Sequence, residues 1–121
     1  MSGGTADRTN AMRRLEACGA SYTPLTVPLD GTDAVSAVEA ARLLQRGTDE
    51  VFKTLVTVGR SREHYVFVVP GGRELDLRKA ARAVGEKSVE MVRSKELLPL
   101  TGYIHGGCSP VGMKKTFRTV V

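Results

Sequence analysis

Apolar residues recur at helical spacing in three stretches of this chain, and each stretch has recognisable boundary residues. The pattern predicts helices over residues 8–18, 33–47 and 76–84. Asp33 and Asp76 are the expected N-terminal caps of the second and third helices, because an aspartate side chain accepts hydrogen bonds from the first turn. A glycine follows or closes each stretch, at positions 19, 47 and 85, as is common at helix C-termini.

Runs of β-branched and aromatic residues predict strands. The runs 51–58 and 64–69 flank a polar turn, GRSRE, and therefore predict a β-hairpin. Because both runs are apolar on nearly every residue, we expect both faces of this sheet to be covered. Ser94 is the expected cap of a brief turn, SKELLP. Further strands are expected at residues 21–30, where two prolines suggest an edge, at 88–92 and at 114–121.

The order of these elements lacks the regular strand–helix alternation of a doubly wound fold. The sequence therefore predicts a single α+β domain, with a curved mixed β-sheet flanked by helices. The 121 residues have room for one domain, which we place at residues 10–121 after a disordered lead-in at residues 1–9. The last strand is apolar up to the final residue, so we expect a further segment or a partner to complete it.

The charge of the chain narrows the choice of partner. Eighteen Lys and Arg residues against thirteen Asp and Glu residues give a net charge of +5, which suits a polyanion such as a nucleic acid. No apolar run approaches the roughly 18–20 residues of a membrane span, and the N-terminus lacks a signal-peptide pattern. Cys18 and Cys108 are far apart in the sequence, so we expect free thiols and a cytoplasmic location.

The most unusual stretch is GYIHGGCSPVG at residues 102–112, with four glycines in eleven positions. Ordering so much glycine is costly, so the loop is expected either to turn sharply or to let something approach its backbone closely. The backbone N–H groups around residues 106–109 would form a concavity that accepts a carbonyl oxygen or a phosphate. A tight turn between two strands is the alternative.

The Cys108 and Ser109 side chains are weak candidates for a nucleophile. The hydrolase motif G-x-S-x-G would require a glycine where Val111 stands. His105 is near enough in sequence to act as a base, but nothing nearby supplies a convincing orienting acid. A metal site built from His64, His105 and Cys108 would lack the paired spacing of metal ligands. We therefore expect neither a metal nor another cofactor.

Lys53 is distinctive because its neighbours in the first hairpin strand, VFKTLVTV, are apolar on both sides. A lysine in such a strand either extends its ammonium to the rim of the sheet or meets a negative group in a cleft. In the second case it would bind a phosphate or a polarised carbonyl. The residues alone leave both interpretations open.

Three segments together resemble the YbaK/EbsC family of free-standing aminoacyl-tRNA deacylases: DEVFKTLV at 49–56, ELDLRKAARAVGEKSVEM at 74–91 and TGYIHGGCSPVGMKK at 101–115. This family is related to the editing insertion of bacterial prolyl-tRNA synthetases. The resemblance implies an α+β fold with a curved mixed sheet. It also implies hydrolysis of the ester between a wrong amino acid and the acceptor end of tRNA, most often tRNA(Pro).

The resemblance also implies roles for individual residues. Lys53 matches the functional lysine of the family. Val27 stands where cysteine-specific members carry a tyrosine, which makes it a specificity position of the pocket. Lys114 and Lys115 are expected to contact tRNA phosphates. The loop that borders the aminoacyl pocket in the family corresponds here to Gly102, Gly106, Gly107, Cys108, Ser109, Pro110 and Gly112.

The function implied by the resemblance is trans-editing, with Cys-tRNA(Pro) as the leading substrate. In cysteine-clearing members the substrate's own thiol attacks its ester, whereas water and the ribose 2′-hydroxyl are implicated in alanine-clearing relatives. The alternatives are an Ala- or Ser-specific deacylase, and a non-catalytic module that binds tRNA or a small ligand in the same pocket. The expected partners are tRNA, prolyl-tRNA synthetase and, through the last strand, a second copy. The family pattern continues beyond residue 121 with an acidic pocket residue.

Overall fold

The computed structural model describes residues 9–25, 37–47, 49–104 and 107–121. Its described part contains four helices, α1 (Asn10–Ala17), α2 (Ala37–Leu43), α3 (Leu77–Val84) and α4 (Ser94–Thr101). It also contains four strands, β1 (Phe52–Gly59), β2 (His64–Pro70), β3 (Val89–Met91) and β4 (Arg118–Val120). None of these helices is long and apolar enough to cross a membrane.

The strands form one mixed sheet in the order β3-β1-β2-β4. β1 is antiparallel to both β2 and β3, whereas β4 runs parallel to β2. Val56 lies opposite Val66, and Leu55 lies opposite Phe67. Because opposite residues of an antiparallel pair share a face, even-numbered residues of the hairpin occupy one face and odd-numbered residues the other. The predicted hairpin, the mixed sheet and the α+β class are confirmed.

Both faces of the hairpin are covered, as its apolar sequence predicts. Helix α3 covers the odd face, where Tyr65 and Phe67 pack against Ala80, Ala81 and Val84. On the even face, Val56 and Val66 pack against a group contributed by the later part of the chain, namely Val92, Leu97, Leu100, Cys108, Met113 and Phe117. Fully burying one valine, such as Val66, contributes about 1.5–3 kcal/mol. The even-face packing therefore holds the glycine-rich loop on the sheet.

Helix α3 has the boundaries that its sequence predicts. The Asp76 carboxylate accepts hydrogen bonds from the N–H groups of Arg78 and Lys79, at 3.0 and 3.1 Å. These bonds lower the pKa of Asp76, the bond from Lys79 contributing most. Gly85 ends the helix in the left-handed conformation, with φ of 77°. Local sequence alone therefore determines where this helix begins and ends.

Several predicted boundaries are wrong. Helix α4 spans eight residues instead of a brief turn; its cap position is Arg93, and Ser94 is already helical. Burial of Thr101, and of Leu97 against Val56 and Val66 of the sheet, holds this longer helix. Helix α2 ends at Leu43, and Gln45, with φ of 57°, takes the left-handed turn expected of Gly47.

The last strand is shorter than predicted, since β4 covers only Arg118–Val120. Lys114 is bound instead to the end of α4, where its N–H donates to the Thr101 carbonyl at 3.0 Å. Residues 21–25 form no strand, and the Tyr22 hydroxyl donates to the Glu16 carboxylate on α1 at 2.6 Å. The predicted cap Asp33, residues 26–30 and the lead-in at 1–8 lie outside the described residues.

Candidate active site

The glycine-rich loop begins and ends at the C-terminus of α4. Thr101, which is fully buried, donates from Oγ1 to the Leu97 carbonyl at 2.8 Å and accepts from the Tyr103 N–H at 3.0 Å. The Lys114 N–H returns to the Thr101 carbonyl. Because the chain leaves and rejoins the fold at one residue, both ends of the loop have fixed positions.

Two further hydrogen bonds lie within the loop. The Tyr103 hydroxyl donates to the Val111 carbonyl at 2.6 Å, and the Val111 N–H donates to Ser109 Oγ at 3.1 Å. Burial raises the pKa of Tyr103, so its hydroxyl stays protonated and remains a donor at neutral pH. The Ser109 side chain is an acceptor within a local turn. Its observed role is therefore structural.

A cavity of about 400 Å³ lies between this loop and the even face of the hairpin. Strands β1 and β2 contribute Phe52, Thr54 and Val68, the loop contributes Cys108, Ser109 and Pro110, and Val121 completes the described lining. We call this space the loop cavity. It brings together three of the predicted loop residues with three strand residues that the sequence did not single out. Their positions depend on the register of the hairpin and on how the loop folds back over it.

The thiol of Cys108 is not activated. The residue is half-buried, and its Sγ lies 4.0 Å from Thr101 Oγ1. Burial raises the pKa of the Cys108 thiol, and the hydrogen bond to Thr101 only partly offsets this effect. A protonated thiol is a poor nucleophile. Cys108 and Cys18 are both free thiols in this structure.

The backbone donors predicted around residues 106–109 are only partly available. The Gly107 N–H already donates to the Ile104 carbonyl at 3.0 Å. The N–H groups of Cys108 and Ser109 have no acceptor among the residues that the structure describes. Gly106 lies outside the described residues. The described part of the loop therefore offers two neighbouring donors without a described acceptor beside the loop cavity.

Gly102 and Gly112 have a role within the protein that the sequence did not reveal. Both take the left-handed conformation, with φ of 84° and 77°. A Cβ at Gly112 would lie 2.7 Å from the Asn10 carbonyl oxygen, and one at Gly102 would lie 3.1 Å from Asn10 Nδ2. These two glycines let the start of α1 approach the loop closely. A Cβ at Gly107 would meet only ordinary contacts, the nearest at 3.5 Å from Ile104.

Lys53 lies beside the loop cavity but on the other face of the sheet. It is opposite Val69 in β2 and half-buried, whereas its neighbours Phe52 and Thr54 line the loop cavity. Within the described residues, no carboxylate forms an ion pair with its ammonium. The alternation of β1 thus separates the predicted cation from the predicted loop. Val27, the predicted specificity position, lies outside the described residues.

A second cavity, of about 740 Å³, separates α1 from the chain that follows the loop. Its lining includes Arg13 and Arg14 of α1, then Pro110, and then Lys115, Thr116 and Thr119. We call this space the basic cleft. Of the two lysines predicted to contact tRNA, Lys115 lines it, whereas the side chain of Lys114 lies against Gly102. The two arginines were missed because only the packing of α1 brings them to the loop.

The part of the chain that the structure describes holds no group of three or more His, Cys, Asp or Glu side chains arranged to bind a metal ion. His64 packs edge-on against Phe117, with ring centroids 5.9 Å apart. His105, the other member of the metal set considered from the sequence, lies outside the described residues.

Comparisons with known proteins identify the family. The model of the aminoacyl-tRNA editing domain matches residues 32–121. EbsC of Enterococcus faecalis, a candidate Cys-tRNA(Pro)/Cys-tRNA(Cys) deacylase, is 47% identical over 115 residues, which cover 95% of this chain and 70% of EbsC. The proline–tRNA ligase of Pelobacter propionicus is 30% identical over 83 residues, covering 69% of this chain and 14% of the ligase.

A solved structure gives the same answer. The crystal structure of a candidate trans-editing enzyme for prolyl tRNA synthetase superposes with a TM-score of 0.78 at 31% identity, covering 91% of this chain and 68% of that chain. The fold and the family expected from the sequence are confirmed. This chain belongs to the aminoacyl-tRNA editing domain family and is an aminoacyl-tRNA hydrolase.

Proposed function

We propose that this protein clears cysteine from mischarged tRNA(Pro) in trans, and that the loop cavity holds the cysteinyl ester. The observation that carries the proposal is the combination of two N–H donors, at Cys108 and Ser109, that have no acceptor among the described residues, with a Cys108 thiol whose pKa is raised by burial. Such a site suits a substrate that brings its own nucleophile. The similarity to EbsC, a candidate Cys-tRNA(Pro)/Cys-tRNA(Cys) deacylase, supports cysteine as the amino acid and tRNA(Pro) as one carrier.

In the proposed reaction, the cysteinyl sulfur forms a bond to the ester carbonyl carbon. The bond between that carbon and the ribose oxygen breaks, and the thiol proton passes to the ribose oxygen. The products are tRNA with a free terminal hydroxyl and a cyclic thiolactone, which water then opens to cysteine. The N–H groups of Cys108 and Ser109 would donate to the carbonyl oxygen while it carries negative charge, and so would stabilise the transition state.

The walls of the loop cavity favour a thiol over a hydroxyl. Phe52 and Val68 present apolar surface, and Thr54 supplies one hydroxyl. Burying a hydroxyl without a full set of partners costs more than burying a thiol. We therefore expect cysteinyl-tRNA to be cleared faster than seryl-tRNA. Alanyl-tRNA lacks a side-chain nucleophile, so its clearance would require water. Val27 remains a proposed specificity position.

Lys53 is proposed to bind the acceptor end of the tRNA. Its position on the face opposite Phe52 and Thr54 disfavours direct contact with an ester carbonyl inside the loop cavity. A flexible lysine at the second position of β1 can instead extend past the end of the sheet to a phosphate. Loss of this cation would then act mainly through binding. We expect Lys53→Ala to raise KM more than it lowers kcat.

The deciding experiment follows the loss of Cys-, Ala- and Ser-tRNA(Pro) in the presence of the protein, the Lys53→Ala variant and a Lys95→Ala control. Lys95 is exposed and lines neither the loop cavity nor the basic cleft. The proposal predicts rapid clearance of the cysteinyl ester, a thiolactone trapped by an added amine, and a defect confined to Lys53→Ala. Folded protein that binds tRNA but clears none of the esters would show a non-catalytic tRNA-binding module. Clearance of the alanyl or seryl ester alone would reassign the specificity.

Three further parts of the proposal concern the surroundings of the enzyme. We propose that the protein acts in the cytoplasm and that prolyl-tRNA synthetase is the source of the mischarged tRNA. A second copy is proposed to pair through β4, which lies at one edge of the described sheet, beside β2. Light scattering over a range of concentrations tests this pairing, and a mass that stays monomeric at every concentration would rule it out.

A further inference from the structure

We propose that the basic cleft binds the phosphate backbone of the tRNA acceptor strand, with Arg13 and Arg14 as its principal contacts. This inference rests on the proposed function, because it takes the loop cavity as the site of the ester. The proposed ligand is the group of backbone phosphates next to the aminoacylated terminal nucleotide of the tRNA. Arg13 and Arg14 lie outside the segment that matches the editing family model, residues 32–121.

The chemistry of the lining fits phosphate. Arg13, Arg14 and Lys115 supply three cations, and Thr116 and Thr119 supply hydroxyl donors. None of the described residues that line this cleft is acidic. The Arg13 guanidinium donates to Asn10 Oδ1 at 2.9 Å, which orients it while leaving other N–H groups for a ligand. Guanidinium groups bind phosphate through two parallel hydrogen bonds, which favours arginine at such a site.

The cavity beside α3 shows that several cations around a cavity are not sufficient for a phosphate-binding site. That cavity, of about 540 Å³, is lined by Arg78, Arg82 and Lys87 but also by Glu86. The Ser61 hydroxyl donates to the Glu86 carboxylate and lowers its pKa, so the carboxylate is negative at neutral pH. A phosphate there would face a like charge. Arg78 and Arg82 of the α3 cavity are therefore a suitable control for Arg13 and Arg14, because the neighbouring Glu86 carboxylate disfavours binding of a polyanion there.

The position of the basic cleft relative to the loop cavity supplies the second argument. Pro110 lines both spaces, so the cleft begins where the loop cavity ends. In an aminoacyl-tRNA the ester is carried by the terminal ribose, and the first backbone phosphate is attached to that same ribose. A tRNA with its ester at Cys108 and Ser109 therefore has its first phosphates beside Pro110. From there the strand would continue between α1 and Lys115.

The test uses an uncharged RNA minihelix that carries the acceptor stem and CCA end of tRNA(Pro), so binding is measured without hydrolysis. The double variant Arg13→Ala/Arg14→Ala is compared with the matched control Arg78→Ala/Arg82→Ala. Circular dichroism first verifies that both double variants are folded. At low salt we expect the first variant to bind the minihelix about tenfold more weakly. Its slope of log affinity against log salt, between about 50 and 200 mM, should be smaller by roughly 1.5. The control should match the unmodified protein in both quantities.

Each outcome is decisive. Equal affinities and slopes for the Arg13/Arg14 variant and the unmodified protein would overturn the proposal. An equal loss in both double variants would also overturn it, because it would show a general effect of net charge. A selective loss of minihelix binding in a protein that clears no ester would support the basic cleft while refuting the hydrolase mechanism proposed for the loop cavity. Where an ester is cleared, the loss for the Arg13/Arg14 variant should appear in KM.

Discussion

Replacing Gly112 with alanine should show how closely α1 must approach the loop. Gly112 has φ of +77°, and a Cβ there would lie 2.7 Å from the Asn10 carbonyl oxygen and 2.9 Å from the Asn10 carbonyl carbon. Gly85, at the end of α3, has the same φ of +77°, but a Cβ there would meet no atom of the described residues within 4 Å. Gly85→Ala is therefore a matched control that has the backbone strain without the collision.

The structure sets the size of the two effects. A left-handed conformation costs an L-amino acid about 1–2 kcal/mol, and this cost applies to both variants. The neighbour of Gly112 is backbone at the start of α1, which cannot rotate away as a flexible side chain can. We expect this collision to cost about 1–3 kcal/mol more, as overpacking does in a core. Gly112→Ala should therefore lower the free energy of unfolding by roughly 2–5 kcal/mol in total, combining both effects.

Urea denaturation followed by circular dichroism measures both free energies under the same conditions. A loss of 1 kcal/mol corresponds to a fall in Tm of about 4 °C for a domain of this size, so thermal scans provide a second measurement. Because displacement of α1 also displaces Arg13 and Arg14, Gly112→Ala should weaken minihelix binding, whereas Gly85→Ala should not. Equal losses of stability in the two variants would refute the argument that α1 and the loop are in close contact.

Three further predictions concern caps, acid sensitivity and thiol reactivity. Asp76→Ala should lower Tm, whereas Asp76→Asn, which keeps a capping oxygen, should retain most of the stability; equal losses would contradict the cap. The hydrogen bond from Ser61 lowers the pKa of Glu86 from its ordinary value of 4.5. The contribution of this hydrogen bond to the free energy of unfolding is therefore complete above pH 4.5 and is lost as pH falls through the lower folded-state pKa of Glu86. Glu86→Gln should consequently make the urea midpoint depend less on pH below 4.5. Burial and the raised pKa of Cys108 should make its alkylation by iodoacetamide at neutral pH much slower than that of exposed Cys18. Peptide mass spectrometry measures both rates, and equal rates would contradict the burial of the Cys108 thiol.

Much of the fold could be read from the sequence because it depends on short-range interactions. The cap at Asp76 and the left-handed end at Gly85 each need only a few neighbouring residues, and α3 has those boundaries. The hairpin could be predicted because two apolar runs surround a polar turn. Where a boundary depended on distant packing, the prediction failed: α4 continues to Thr101 because Leu97 and Thr101 are buried against the rest of the fold.

The sequence by itself determined the α+β class, the principal hairpin and the editing family, through the resemblance of residues around Lys53 and the 102–112 loop. Only the tertiary structure decided which of these residues meet. Strand alternation puts Lys53 on the face opposite the loop cavity, and a local hydrogen bond engages the Gly107 N–H. Packing of α1 against the loop brings Arg13 and Arg14 to Pro110. The packing of α1 depends on contacts of Asn10 with Gly102 and Gly112, about a hundred positions away, and sequence spacing carries no information about such contacts until the chain has folded.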